Sequence, residues 1–361
     1  MCIRYYVKDK IASFYFKGTW KHTTLSPHKE PKIDKDYEQY RKLLLLPGFY
    51  SKFLYNKWYR ATVPMNAFDK VNNDIDIRVN LTVSEFIEQY EKPNKPVIIR
   101  GAMNHWKAMK KWSLIDNMLI KNYGDTLFKT NGTDDNGKTF KMTMKQYLQY
   151  ALNNQDEKPI YLFDNKFYER GNKMLEEYEI EEYFKKDLFE YMKEEDRPDY
   201  RWILVGGSRS GSPLHQDPHR TSAWNALICG KKRWTLYLPN VIPPGVDEDL
   251  IDTEYYASPD VMKWFINIYP HITNDINKKP IQVIQEPGDI IFVPSGWWHQ
   301  VLNLEPSVAV TQNYCNSQNF KFVYTDILER GSDSLKKDFI RDVSVHFPHL
   351  FADFPEYVNL F

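Results

Sequence analysis

Past Tyr200 the chain alternates apolar and polar residues in short runs that proline, glycine and asparagine separate. A period of two residues is typical of β-strands with one buried face, because successive side chains point to opposite faces of a sheet. Many short strands at this spacing predict an antiparallel sandwich or barrel of the jelly-roll type. The eight predicted strands are RWILVGG, PLHQD, SAWNALI, KRWTLYLP, IQVIQ, GDIIFVP, WWHQVLNL and SVAVTQN.

Helical patterns flank these strands. The predicted fold class is therefore mainly β with flanking helices, built on a double-stranded β-helix over residues 201–320 with a partly helical insertion at 247–279. Residues 1–80 are basic, aromatic and irregular, and we interpret them as an N-terminal docking segment containing two helices. Residues 321–361 predict a helical tail that packs on the barrel or on a second subunit, the latter giving a homodimer.

Residues 81–200 mix the two kinds of pattern and predict an α/β region packed on the barrel. The polar residues Thr82 and Ser84 precede an apolar periodic run, which predicts a helix capped near its start. A short strand is predicted at Val97–Arg100, and a strand, a turn, a second strand and a helix follow over residues 125–152. The Lys- and Glu-rich stretch from Lys166 to Arg197 is predicted to continue as helix.

Charge and cysteine content restrict the partners and the compartment. Lys plus Arg equals Asp plus Glu at 48 each, so no overall field would gather nucleic acid or an anionic membrane, and neither is indicated. The cysteines Cys2, Cys229 and Cys315 form no CxxC pair, and no stretch approaches the roughly 18 apolar residues of a membrane span. We expect an intracellular protein of the nucleus, the cytoplasm or both, and not a secreted one.

A metal site is the first candidate for chemistry. His215 and Asp217 are two apart in a predicted strand, so their side chains leave the same face. His299 begins another strand after a Pro-Ser-Gly turn and two tryptophans, and could supply a third ligand from across the barrel. Two histidines and one carboxylate leave coordination positions open, which suits Fe(II) binding a bidentate oxo-acid and then O₂. The alternative for His299 is a core histidine with a structural hydrogen bond, while His219, which follows Pro218, is assigned to a loop or substrate-facing role.

Lys232 is a second and independent indication. Alternation in KRWTLYLP places it on the same face as Trp234 and Leu236, where an ammonium is costly unless an anion accompanies it. A carboxylate of a bound co-substrate would be such an anion. The alternative is a lysine at a strand end whose ammonium reaches water.

Several polar residues share candidate inward faces with small or apolar neighbours. They are Asn225, Thr311 and Asn313. Each could hydrogen-bond a ligand, and each could equally satisfy a buried backbone group. The tryptophans Trp224, Trp234, Trp297 and Trp298 are candidates for the pocket wall, and residues 206–211 are interpreted as a glycine-rich loop beside the metal.

The segments HQDPHRTSAWNALICGKKRW and PGDIIFVPSGWWHQVLNLEPSVAVTQN resemble the two signature blocks of the JmjC-domain Fe(II)/2-oxoglutarate oxygenases. The similarity is greatest to the branch of lysyl hydroxylases and arginine demethylases that includes the protein formerly called the phosphatidylserine receptor, and to F-box proteins with a JmjC domain. PIYLFD, RPDYRW and KGTWKHTTL also match, so the resemblance extends from about Lys17 to Phe322.

The resemblance implies a cupin-like JmjC barrel with specific site residues. It assigns Fe(II) to His215, Asp217 and His299, and 2-oxoglutarate to Lys232, Thr311, Asn225 and Tyr161, the last on the resemblance alone. It further implies a protein substrate with a modified lysine, arginine demethylation being the less favoured reaction. Two rival hypotheses are the same chemistry on RNA or a small molecule, and a non-enzymatic adaptor that uses the barrel as a recognition platform.

Overall fold

The computed structural model describes residues 60–133, 137–170, 173–246, 258–272 and 279–354, and every structural statement concerns these ranges. Residues 1–59 of the predicted N-terminal docking segment lie outside the described residues. None of the helices in the described ranges is long and apolar enough to cross a membrane.

The described chain is organised around two β-sheets. A nine-stranded sheet has the order β1-β2-β11-β8-β13-β6-β5-β3-β4, and a four-stranded sheet has the order β10-β9-β12-β7. The strands are β1 (Asp76–Val79), β2 (Val97–Arg100), β3 (Leu127–Thr133), β4 (Thr139–Thr143), β5 (Leu162–Asp164), β6 (Arg201–Gly206), β7 (Gly211–His215), β8 (Ser222–Cys229), β9 (Lys232–Tyr237), β10 (Ile281–Gln285), β11 (Asp289–Val293), β12 (Trp298–Asn303) and β13 (Ser307–Tyr314).

The barrel is formed where the two sheets pack face to face. Ala223 and Val293 of the large sheet share one apolar cluster with Trp234 and Val301 of the small sheet. The neighbouring strands β11, β8, β13 and β6 are antiparallel, as are β10, β9, β12 and β7. Each of the eight predicted strands corresponds to one of β6 to β13, and the predicted mainly β jelly-roll fold is confirmed.

Helices cover the outer faces of the barrel. The α-helical elements are α1 (Val83–Phe86), α2 (Ala108–Lys111), α3 (Met118–Tyr123), α4 (Met144–Asn153), α5 (Val261–Asn267), α6 (Tyr269–Ile272), α7 (Phe320–Arg330) and α8 (Asp333–His346). Helix α1 continues into a π-helical turn at Ile87–Glu91. Thr82 caps α1 in a capping box with Glu85, which confirms the predicted helix start.

The prediction of helix from Lys166 to Arg197 is wrong. The described part of this stretch contains 3-10 turns at Phe167–Arg170, Met174–Glu176, Glu182–Phe184 and Leu188–Tyr191. Its aromatic residues Phe167, Phe184 and Phe189 are buried at irregular intervals, so one face of a regular helix could not bury them together. Their charged neighbours resemble a helix surface in composition but not in period.

The C-terminal helices α7 and α8 pack on their own chain. Phe320 and Tyr324 of α7 and Phe339 of α8 join a buried cluster with Phe189 and Cys315. This cluster fastens the helices to the end of β13 and to the turn at Leu188–Tyr191. Packing against the barrel side is therefore observed, and the alternative contact with a second subunit stays a prediction.

Candidate metal centre

His215 and His299 are direct partners across the antiparallel pair β7 and β12. Their ring centroids lie 4.2 Å apart. Nδ1 of His215 lies 2.7 Å from the carbonyl oxygen of Pro213, and Nδ1 of His299 lies 3.1 Å from that of Trp297. A carbonyl acceptor at Nδ1 holds the proton there and presents the lone pair of Nε2 to a metal.

Asp217 completes the group from just beyond the end of β7. The sequence predicts it within the strand, but β7 ends at His215, and Asp217 precedes the 3-10 turn Pro218–Arg220. Its backbone is still extended, with φ of −64° and ψ of 148°, which keeps its side chain on the face that carries His215. One ligand atom from each of Asp217, His215 and His299 lies within 4.8 Å of the others.

The three side chains fit a divalent metal. Oδ2 of Asp217 is buried without a hydrogen-bond partner and lies 3.9 Å from Nε2 of His299, as a carboxylate oxygen awaiting a cation would. Burial and the neighbouring His299 lower the pKa of His215, which favours the neutral imidazole that metals bind. Among the described residues the group contains no fourth His, Cys, Asp or Glu, so the donor set is the open type that suits Fe(II) better than structural zinc.

Lys232 lies at the other end of the barrel interior. It is 1% exposed, and its register partner across the pair β9 and β12 is Asn303. His299, also on β12, is the register partner of Leu236 on β9. Four residues of strand separate the two levels, on the order of 13 Å, which leaves room for a small co-substrate. Burial lowers the pKa of Lys232 to about 7, and within the described ranges no carboxylate forms an ion pair with it.

The other predicted ligand-binding residues face the same interior, with different degrees of engagement. Asn225 and Thr311 are register partners on β8 and β13, and Oδ1 of Asn225 is buried without a partner. The Thr311 hydroxyl already donates to the carbonyl of Trp224 at 2.8 Å, and Nδ2 of Asn313 donates to the Thr221 hydroxyl at 2.9 Å. The sequence left two roles open for Thr311 and Asn313, a hydrogen bond to a ligand or one within the protein. The structure shows the hydrogen bond within the protein for both.

Tyr161 is also buried in the barrel, in an apolar cluster with Leu204, Leu227 and Ala309. Burial raises the pKa of its hydroxyl, and a hydrogen bond with Asn303 opposes that shift. Tyr161 therefore lies next to the side chain that faces Lys232, although the sequence pattern alone gave no indication of this position.

Asn303 is a site residue that the sequence reasoning missed. It is fully buried, its Nδ2 donates to Oγ of Ser210 at 2.9 Å, and its Oδ1 has no partner. Alternation along β12 places His299, Val301 and Asn303 on one face, so the rule that identified Lys232 could also have identified this residue.

Two interpretations of the barrel surroundings need correction. The glycine-rich loop does not lie beside the metal ligands, because Gly211 pairs with Leu302 at the Lys232 end of the barrel. Trp224 and Trp298 do not line the interior: Trp224 stacks on Phe184 outside the large sheet, and Trp298 joins the apolar cluster outside the small one.

Of the four tryptophans predicted to line the pocket, Trp234 and Trp297 face the interior. Trp234 stacks against His299 with ring centroids 6.0 Å apart. His219, assigned from sequence to a loop or to the substrate, lies in the 3-10 turn after Asp217, with Nδ1 3.6 Å from a carboxylate oxygen of Asp326 on α7.

Comparison with known proteins agrees with this architecture. Residues 83–320 match the family described as a cupin-like domain. The chain is 39% identical over 315 residues to lysine-specific demethylase JMJ21 of Arabidopsis thaliana, covering 86% of this chain and 32% of that protein. It is 41% identical over 280 residues to bifunctional arginine demethylase and lysyl-hydroxylase psr-1 of Caenorhabditis elegans, covering 75% and 68%.

A third relative is 2-oxoglutarate and iron-dependent oxygenase JMJD4 of Danio rerio, which is 30% identical over 269 residues, or 69% of this chain and 62% of that protein. The chain thus spans between about a third and two thirds of these relatives. Residues 83–320 contain every strand of the two sheets except β1, and all three residues of the metal group. The chain belongs to the cupin-like family, within its JmjC branch.

Proposed function

We propose that this chain is an Fe(II)- and 2-oxoglutarate-dependent oxygenase that uses O₂ to hydroxylate a protein side chain, with lysine as the residue modified. The observation that carries the proposal is one barrel interior with an open group of two histidines and a carboxylate at one end and a buried ammonium at the other. A co-substrate with an oxo-acid group and a second carboxylate matches both ends.

Each site residue has a separate task in this proposal. His215, Asp217 and His299 would hold iron, and Lys232 would pair with the distal carboxylate of 2-oxoglutarate. When bound, iron with 2-oxoglutarate and O₂ supplies the oxidising power to convert a C–H bond into an alcohol. Asn225 would bind the co-substrate through its amide N–H donors, because the oxygens of 2-oxoglutarate are acceptors. The remaining residues assigned to 2-oxoglutarate, Tyr161, Thr311 and Asn313, would shape its pocket.

The names of the relatives support a protein substrate containing lysine or arginine. JMJ21 is named a lysine-specific demethylase, and psr-1 is named both an arginine demethylase and a lysyl hydroxylase. Hydroxylation of a methyl group on arginine is the same chemistry followed by loss of the oxidised carbon, so arginine demethylation is the second candidate. The name of JMJD4 states iron and 2-oxoglutarate as cofactors, and it does not state a target residue.

The decisive experiment reconstitutes the protein anaerobically with Fe(II) and 2-oxoglutarate and then admits O₂. We expect succinate to form, and mass spectrometry to detect one added oxygen on lysine in peptides from cell extract. His215→Ala should abolish both signals, whereas His105→Ala, a surface control, should leave them intact. Absence of succinate from wild-type protein would favour the adaptor hypothesis, and succinate with oxygen on RNA or a small molecule would favour the rival substrates.

We propose in addition that the protein acts inside the cell, in the nucleus, the cytoplasm or both, which its reduced Cys229 and Cys315 and its proposed ferrous cofactor favour. Residues 1–80, 81–200, 201–320 and 321–361 would act as docking segment, supporting layer, barrel and tail. A homodimer through the tail of residues 321–361 is part of the same proposal. Imaging of the tagged full chain and light scattering of the purified protein test these proposals.

A further inference from the structure

One carboxylate from the C-terminal helix α7 contacts the loop that follows the metal ligand Asp217. Asp326 is 3% exposed, and it lies 3.6 Å from Nδ1 of His219 and 3.4 Å from Nε of Arg220. Arg330, one helical turn later, also binds it. Burying a carboxylate is costly unless donors or cations surround it. The loop residues His219 and Arg220 are therefore expected to stay close to Asp326.

The contacted loop has an unusual backbone. His219 has φ of 53° and Arg220 has φ of 49°, in the left-handed region that residues with a Cβ seldom adopt. Such conformations cost on the order of 1–3 kcal/mol each and persist only where surrounding contacts hold them. Two consecutive residues of this kind directly after Pro218 therefore require an external restraint.

The opposite side of the loop is held by the segment that leads to His299. The Ser295 hydroxyl donates to the carbonyl oxygen of Arg220 at 2.6 Å, and Nε2 of Gln216 donates to that of Gly296 at 2.6 Å. These bonds connect the segments carrying Asp217 and His299 to each other. Asp326 supplies the contact from outside the barrel.

We infer that Asp326 is a positioning residue for the metal centre, which holds the loop of residues 218–220 in its strained form and thereby fixes the carboxylate of Asp217 toward the two histidines. Of the proposed function, the inference requires one part, which is that a metal binds at this site. It makes α7 part of the centre, although Asp326 lies beyond the matched residues 83–320. Outer contacts that orient metal ligands commonly change metal affinity by 10- to 100-fold when they are removed.

The test measures metal binding without turnover. Mn(II) titrated into metal-free protein under argon gives the affinity, and the visible spectrum of the Co(II) form reports the ligand geometry. We expect Asp326→Asn, which keeps the shape and removes the charge, to bind Mn(II) about 10- to 100-fold more weakly and to alter the Co(II) spectrum. Asp326→Glu should recover part of the affinity.

Asp342→Asn is the matched control, because Asp342 pairs with Arg341 at the exposed surface of α8. It should leave Mn(II) affinity and the Co(II) spectrum unchanged. If Asp326→Asn does not fold, His219→Asn removes one of the two loop contacts of Asp326 and leaves that with Arg220, while tolerating the left-handed backbone, and it should weaken Mn(II) binding by about tenfold.

Wild-type affinity in a folded Asp326→Asn or His219→Asn protein would overturn the inference and leave the proposed function standing. Failure of the wild-type protein itself to bind Mn(II) or Co(II) would instead refute the metal site on which both rest.

Discussion

Lys232 on β9 and Asn303 on β12 lie directly opposite each other on the inner face of the barrel. Asn303 also contacts Ser210 and the Tyr161 hydroxyl, and its Oδ1 remains unpartnered. An ammonium between this oxygen and a bound carboxylate would have acceptors on both sides. The pair thus defines the end of the pocket that recognises the second carboxylate of the co-substrate.

The pKa of Lys232 predicts how co-substrate binding depends on pH. Burial lowers it to about 7, so in the empty pocket the amine loses its charge as pH rises above neutrality. A bound carboxylate favours the ammonium, and binding above this pH must take up a proton. We expect the affinity for 2-oxoglutarate to fall toward tenfold per pH unit between about pH 7.5 and 9.

Anaerobic calorimetry of the Mn(II) form, in buffers of different ionisation enthalpy, measures this proton uptake. Lys232→Arg is the informative comparison, because arginine stays charged throughout this range and its binding should take up no proton. Equal affinity for 2-oxoglutarate at both ends of the pH range in the wild-type protein would contradict the prediction.

The same residue should cost stability in the empty protein. Unfolded Lys232 keeps its proton to about its ordinary pKa of 10.5, whereas the folded form loses it near 7. The unfolded state therefore binds more protons between these values, and stability rises with pH through that window. We expect Lys232→Met to stabilise the ligand-free protein at pH 6 more than at pH 9, by on the order of 2 kcal/mol.

Urea unfolding at the two pH values checks this expectation, with Lys121→Met, an exposed change on α3, as the control that should show no such difference. A Lys232→Met protein with the same stabilisation at both pH values would contradict it.

The close packing at the pocket end predicts a strict size limit at Gly206. A Cβ there would overlap Nδ2 of Asn303 and Oγ of Ser210, and would lie 2.7 Å from Cε2 of Tyr161. Overpacking of this kind costs about 1–3 kcal/mol. We expect Gly206→Ala to weaken 2-oxoglutarate binding about tenfold or more while Mn(II) affinity is retained, because the metal ligands lie at the other end of the barrel.

Ser210→Ala, which removes a hydrogen bond to Asn303 without any overlap, should have a smaller effect on co-substrate binding. Parallel calorimetric titrations with Mn(II) and with 2-oxoglutarate separate the two ends. Loss of metal affinity in Gly206→Ala would show that the substitution disturbs the whole barrel.

The residues that sequence located correctly are those whose position depends on local alternation. Lys232, Asn225 and Thr311 face the interior because a strand of known register alternates its side chains. The same rule placed His215 and His299, although their close approach depends on the register between β7 and β12. Local pattern therefore predicts facing direction well, and it leaves the partner across the sheet undetermined.

The predictions from sequence fail where packing between residues that are distant along the chain determines the local structure. Residues 166–197 adopt 3-10 turns because separate aromatic side chains enter the core at irregular intervals. The sequence predicts Asp217 within β7, but the strand ends at His215, and no local feature of the sequence marks His215 as its last residue. Asp326 could not be linked to the metal loop at all, because more than one hundred residues separate them.

A buried ion pair predicts the largest loss of stability away from the metal. Asp187 is 2% exposed, and its Oδ2 lies 2.5 Å from Nη2 of Arg197. Its Oδ1 accepts hydrogen bonds from the backbone N–H groups of Phe189 and Cys315. It thereby ties the end of β13 to the turn under α8. Asp187→Ala would leave the buried Arg197 unpaired, and we expect a loss of about 3–5 kcal/mol in urea unfolding. Asp338→Ala, which breaks an exposed pair with Arg341, should cost less than about 1 kcal/mol. Similar losses of stability for both variants would mean that the buried pair contributes no more to stability than the exposed pair.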